Sequence, residues 1–310
     1  RAAGDLGASC EVVNPMGTDD IRCRVVRYVM ERKCVSGGFC FYKLEEPNGS
    51  DTWHALSILD LLKVQFEDAA TIAYLKGRQR PDGGYESIYA AWYAVKGLAL
   101  LGSTPSLDPG PYVMHNLEHY RFDAARLPVE VISLFKRTSC LVDLYAALDL
   151  EADGPLRDGL VEFILGFRND DGGFGYPGST LLDTARALSM LQCLQYPLAD
   201  LGAGAFIRRC EVPFYGFTDI PHTTLCFLEY VHAGVLASHL ISRKPTYREQ
   251  CEAFVMSCQN RNGGFSRTLQ GGIATLENTW HGVHALSLLS SWTTEQPGSG
   301  SDGLHRQRPG

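Results

Sequence analysis

The chain is 310 residues long, 45% hydrophobic and 20% charged, with a formal net charge of −7; a chain of this size can bury a large core. Its acidic balance excludes the concentrated Lys/Arg face that a nucleic-acid backbone requires, so no nucleic-acid partner is expected. The longest apolar stretches, such as Ala94–Leu101, are broken by Lys96 and stop at Gly102, far short of the ~20 residues that span a bilayer. No membrane span is expected, and with no apolar run of signal-peptide type over Arg1–Cys10 a cytoplasmic location is expected.

In chain order, an N-terminal extension over residues 1–18 precedes a domain over 19–292. Its first amphipathic helical pattern, Asp20–Lys33, runs into Ser36-Gly37-Gly38-Phe39, and a more apolar helix follows at Asp51–Leu62. Phe66–Arg78, Asp82-Gly83-Gly84-Tyr85 and Ala90–Leu101 repeat that order. The third unit is degenerate, its turn placed near Arg121–Pro128. Leu156–Arg168, Asp171-Gly172-Gly173-Phe174 and Asp183–Leu194 form the fourth. In the fifth, Phe214-Tyr215-Gly216-Phe217 stands in for the turn and an apolar helix is expected from His222 to Val231. Tyr247–Gln259, Asn262-Gly263-Gly264-Phe265 and His281–Ser290 form the sixth. The Gly-, Ser- and Pro-rich stretch 293–310 reads as a disordered tail.

The glycine phrases are 46, 89 and 91 residues apart; each long gap is about twice the first, which makes six units with two degenerate turns. Helices with one wet side read as an outer layer and the apolar ones as an inner layer. Glycine ends the outer helix because it reaches positive φ without steric cost. The result is an all-α array of helical hairpins, which can be an open solenoid or a closed ring. Ten cysteines, at 10, 23, 34, 40, 140, 193, 210, 226, 251 and 258, show no paired metal spacing, and free thiols are expected.

Gln-Asn-Arg-Asn-Gly-Gly-Phe at 259–265, Arg-Asn-Asp-Asp-Gly-Gly-Phe-Gly at 168–175 and Leu-Asp-Thr-Ala-Arg-Ala-Leu-Ser at 182–189 resemble the repeats shared by protein prenyltransferase β subunits and by squalene and other class II terpene cyclases. The resemblance implies a closed α/α toroid whose inner helices line an apolar funnel, with reactive groups at their N-terminal ends. It implies a prenyltransferase-like enzyme that takes an isoprenoid diphosphate, with a helical-repeat partner subunit as the protein prenyltransferases have. The alternatives are a terpene cyclase with a lumenal aspartic acid and a non-catalytic toroid that binds lipid or protein.

Aligned on Ala55-Leu56-Ser57, Ala187-Leu188-Ser189 and Ala285-Leu286-Ser287, the apolar helices place Asp51, Ala90, Asp183, His222 and His281 at one position. Asp51 and Asp183 suit a helix N-terminus as caps and dipole partners and are the candidate catalytic acids. The acidic Asp-x-Asp-Asp run of the cyclases is absent from the inner helices. The dipole gives no reason for histidine at that position. In the zinc-dependent prenyltransferases an Asp-x-Cys opening one late inner helix and a His opening the next hold the metal. By that resemblance zinc is expected at Asp219, His222 and His281, with Pro221 where the family has Cys, His222 replacing it, and Cys226 one turn deeper. For an isoprenoid diphosphate the candidates are Arg186, whose guanidinium suits phosphate, with His54 and His284 aligned to it and Arg267 in a glycine loop. Trp53, Tyr89, Trp92, Phe227 and Trp280 offer aromatic faces to a prenyl chain or carbocation.

Overall fold

The computed structural model describes residues 18–42, 46–118, 128–150, 154–269 and 271–292. Six helical hairpins follow one another: α1 (Thr18–Met30) with α2 (Gly49–Leu61), α3 (Ala69–Lys76) with α4 (Ile88–Leu100), α5 (Gly110–Glu118) with α6 (Pro128–Ala147), α7 (Gly154–Leu165) with α8 (Leu181–Cys193), α9 (Ala203–Arg209) with α10 (Leu228–Leu240), and α11 (Arg248–Ser257) with α12 (Leu276–Ser291). The second helix of each hairpin packs on that of the next, α2 on α4, α4 on α6, α6 on α8, α8 on α10 and α10 on α12, and α12 returns to α2. The even-numbered helices are therefore a closed inner ring, and the expected toroid is the fold.

Local chemistry starts four of the six inner helices. The side-chain oxygens of Asn48, Ser87, Thr180 and Thr275 accept the N–H of Asp51, Ala90, Asp183 and Asn278, satisfying donors that the helix cannot. The glycine turns join one unit to the next. At Gly37 φ is +93°, and a Cβ would lie 2.2 Å from the Ala70 carbonyl oxygen of α3; at Gly263 φ is also +93°, and a Cβ would lie 2.2 Å from the Arg24 carbonyl oxygen of α1. Only glycine suits both the backbone angle and the approach. The Gly263 contact puts the last turn on the first helix, and Tyr28 Oη donates to the Ala274 carbonyl at 2.7 Å, so the ring is sealed by packing and by a buried hydrogen bond.

After three of the four glycine pairs the aromatic residue sets the register of the helix that follows. The N–H groups of Phe39, Phe174 and Phe265 donate to Thr52, Thr184 and Thr279 Oγ1 at 3.0, 2.9 and 3.0 Å. In the fifth unit β1 (Glu211–Val212) and β2 (Gly216–Phe217) form a short antiparallel hairpin, and the Phe217 ring lies on Gly234 as the Phe265 ring lies on Gly282.

This register corrects two expectations. Thr52, Thr184 and Thr279 all stand four residues after their N-caps, whereas α12 has 16 residues and α2 and α8 have 13. Alignment on the Ala-Leu-Ser tails therefore slips α12 by three residues: His281 corresponds to His54 and Arg186, and Asn278 takes the place of Asp51 and Asp183. In the fifth unit the inner helix opens at Leu228. His222 lies before it in a turn, exposed, with φ +62°, and that left-handed backbone cannot be part of a right-handed helix. The turn expected near residues 121–128 and the tail over 293–310 fall outside the described residues, apart from Pro128, which starts α6. Among the described residues no helix is long and apolar enough to cross a membrane, and the nine described cysteines are all free thiols.

Candidate functional site

Residues five, six and nine positions after an N-cap recur at helical spacing on one side of each inner helix, and on this toroid that side faces the lumen. Position five carries Trp53, Trp92, His232 and Trp280; position six carries His54, Tyr93, Arg186 and His281; position nine carries Lys96 and His284. The Trp53 ring centroid is 4.4 Å from Trp92 and 5.2 Å from Trp280, and His232 is 4.9 Å from Trp280. An aromatic wall thus runs unbroken across α4, α2, α12 and α10, and the buried Trp53 Nε1 has no hydrogen-bond partner.

Opposite charges meet on the other side of the ring. On α6, Asp143 accepts from Trp92 Nε1 at 2.6 Å and from Lys96 Nζ at 3.1 Å. On α8, Arg186 Nη1 bonds Asp183 Oδ1 at 2.8 Å, with the Asp183 side chain only 12% exposed. Lys96 and Arg186 each have a carboxylate in contact. Cys140, one turn before Asp143, has its thiol pushed up to about 11 by burial and then by Asp143.

The histidines are held neutral. Burial lowers His54 to about 4, with its Nδ1 bonded to the Ser50 carbonyl at 2.9 Å. Burial, followed by His54, His284 and Arg186, lowers His281 to about 3. Burial and then His239 lower His284 to about 4; burial and then His281 and His284 bring His232 well below its ordinary value. An imidazolium here loses water and gains no carboxylate partner. His232 Nε2 and His284 Nδ1 are 2.9 Å apart, the His281 ring is 4.8 Å from His232, and His281 Nδ1 is buried without a partner.

Of the residues expected at the site, Trp53, Trp92, Trp280, His54, His284 and Arg186 come together in the lumen, and Tyr89, half-buried near the start of α4, lies within the field of Arg186. Asp51 is tied to its own N-cap, its N–H on Asn48 Oδ1 and its carboxylate accepting from Asn48 Nδ2 at 2.5 Å. Arg267 is paired with Glu229, and its guanidinium carbon lies 3.9 Å from the Phe227 ring centroid.

The zinc set does not assemble. Asp219 accepts the Leu182 N–H on Oδ1 at 3.0 Å and the Leu181 N–H on its carbonyl, serving as a cap for α8; burial raises its carboxyl, opposed by the Leu182 hydrogen bond. His222 is exposed in its turn, and His281 is half-buried among the lumenal rings. Among the described residues no three His, Cys, Asp or Glu side chains are grouped to hold a metal ion, so Asp219, His222 and His281 do not fit zinc. Cys226 Sγ donates to the Phe217 carbonyl at 3.3 Å, its thiol pushed up to about 12 by burial. Sequence reasoning missed His232, Tyr93, Lys96 and Asp143. The first three become visible once positions are counted from the true N-caps; Asp143 has no signal, because α6 follows no glycine phrase.

The prenyltransferase alpha-alpha toroid domain family matches residues 8–87 and 138–306. The chain belongs to this family. Solved structures that resemble it include that of a protein from Actinoplanes, 16% identical over 90% of this chain and 100% of that one, with a TM-score of 0.50. Another is a variant of the type II terpene cyclase MstE from Scytonema in complex with geranylgeranyl dihydroxybenzoate, 13% identical over 88% and 97%, with a TM-score of 0.52. A third is Candida albicans protein geranylgeranyltransferase-I complexed with GGPP, 17% identical over 91% and 80%, with a TM-score of 0.40. At these identities the likeness is one of fold. Among curated proteins none matches the chain.

Proposed function

We propose that this toroid is an isoprenoid-handling enzyme of the prenyl-transferring kind, taking the apolar chain of an isoprenoid diphosphate into its lumen. The toroid family supports an isoprenoid-related function, and the observation that carries the reading is the wall of Trp53, Trp92 and Trp280 across three inner helices. Indole faces cover a prenyl chain and favour positive charge developing on it. Arg186, at the end of the lumen where the inner helices begin, is the group to meet the diphosphate, and it must leave Asp183 to do so. No step is assigned to zinc.

Tryptophan emission tests the proposal. The chain has four tryptophans, and replacing the remaining one, Trp292→Phe, leaves only those of the wall. Farnesyl diphosphate and farnesol should both quench the emission, with the diphosphate bound about tenfold or more tighter, since hydrogen bonds to charged groups contribute ~1.5–3 kcal/mol. Equal affinities would remove the diphosphate and leave a second reading that the Arg186–Asp183 pair favours: a lumen that cyclises or carries an isoprenoid lacking one. If neither ligand quenches, the isoprenoid reading fails.

A further inference from the structure

We propose that His232 and His284 act as one proton-relay pair in the lumen, the proton acceptor for the reaction proposed above, on which the catalytic part of this inference rests. The two rings come from different helices, α10 and α12, and meet through His232 Nε2 and His284 Nδ1 at 2.9 Å. Two neutral imidazoles can make that bond only if one nitrogen carries the hydrogen and the other does not. Each ring then has one outer nitrogen, His232 Nδ1 and His284 Nε2, and of these two one is protonated and the other bare. Among the described residues neither outer nitrogen has a hydrogen-bond partner.

The proton count follows from that arrangement. As the prenyl carbon's bond to diphosphate breaks and its electron pair leaves with the diphosphate, a proton from an acceptor hydroxyl, or from a carbon beside the carbocation, lands on the bare outer nitrogen; the electron pair that proton leaves behind forms the new C–O bond or the alkene. The bridging proton crosses to the other ring, whose outer N–H then gives its proton to the departing diphosphate or to water. The pair ends neutral with both tautomers exchanged, and proton exchange with water returns it to its starting tautomers before the next turnover. A base buried beside indole faces remains neutral until that proton arrives. The titratable groups that act on the two rings are histidines, His281 on α12 and His239 on α10; His281 in turn feels His54 on α2 and Arg186 on α8. None of these groups holds an imidazolium in place, so the proton passes on.

Histidine-¹⁵N-labelled protein tests the pair without substrate. Two-bond ¹H–¹⁵N correlations at pH 7 should show one ring protonated at its bridging nitrogen and the other not. Acidification should move both rings together, with one shared midpoint below the ordinary histidine value. His284→Gln, which keeps hydrogen-bonding groups but neither takes up nor passes on a proton, should shift the His232 midpoint. With farnesyl diphosphate as probe, the same variant should release diphosphate with a kcat on the order of 100-fold lower, with partial rescue by added imidazole. Two rings that titrate independently, or a His284→Gln variant with unchanged turnover, would overturn the relay. Absence of quenching in the wild type would sink the isoprenoid reading instead, while the correlations would still decide whether the two rings share a proton.

Discussion

At the scale of single residues, the contact between Arg186 and Asp183 decides what kind of head group the lumen accepts. The Asp183 N–H, and not its carboxylate, bonds the Thr180 cap, so Asp183→Asn preserves the start of α8 while it releases the guanidinium. A freed Arg186 has its fork open to phosphate oxygens. Asp183→Asn is expected to tighten farnesyl diphosphate several-fold and leave farnesol unchanged, and Arg186→Gln to erase the difference between the two ligands. Fluorescence titration of both variants checks this, and a diphosphate-to-alcohol ratio that neither substitution moves would show that the diphosphate does not bind at Arg186. Asp51 has no such role, because its carboxylate is tied to Asn48.

At the scale of elements, the unit is an aromatic clamp in which a threonine holds a turn against its inner helix. Thr279 Oγ1 accepts from Phe265 N–H and donates to the Thr275 carbonyl at 2.6 Å. Thr279→Val keeps the shape and orphans a buried N–H, a loss of about 1–3 kcal/mol that denaturant unfolding should show at unchanged m-value. Gly282→Ala brings a Cβ to 2.7 Å from the Phe265 ring and should cost a similar ~1–3 kcal/mol by overpacking; a neutral result would mean that the clamp gives way freely. The repeat was legible because glycine turns and caps are local chemistry, written wherever the chain must turn. Register was less so. An amphipathic helix repeats its own pattern each turn, so the Ala-Leu-Ser tail of α12 matched one turn out of place and made His281 look like a residue of the mouth. The wall of Trp53, Trp92 and Trp280 survived that slip, because indoles on inner helices meet in the lumen whichever neighbouring turn they occupy. Asp143 and the His232–His284 bond stayed hidden, since they depend on which helices the closed ring makes neighbours.

At the scale of the whole molecule, closing the ring brings four histidines from α2, α10 and α12 to one interior, and this makes the fold sensitive to mild acid. His54 and His284 are lowered to about 4 and His281 to about 3, with His232 lowered too, whereas in the unfolded chain each takes a proton near 6.5. Between those values the unfolded state binds more protons than the folded state, so stability rises with pH across this window. It is fully present above about 6.5, falls as the pH drops below that, and stops falling from this cause only once the folded rings themselves protonate. Carboxylates held low by partners, such as Asp68, lose their contribution only below about pH 4, which leaves pH 5–6.5 to the histidines. The urea midpoint should therefore drop clearly between pH 7 and 5, and His281→Leu, which keeps an apolar group in the lumen, should make that drop shallower. A midpoint that stays flat from pH 7 to 5 would mean that the rings protonate freely in the folded protein, and that the lumen is wetter than their burial requires.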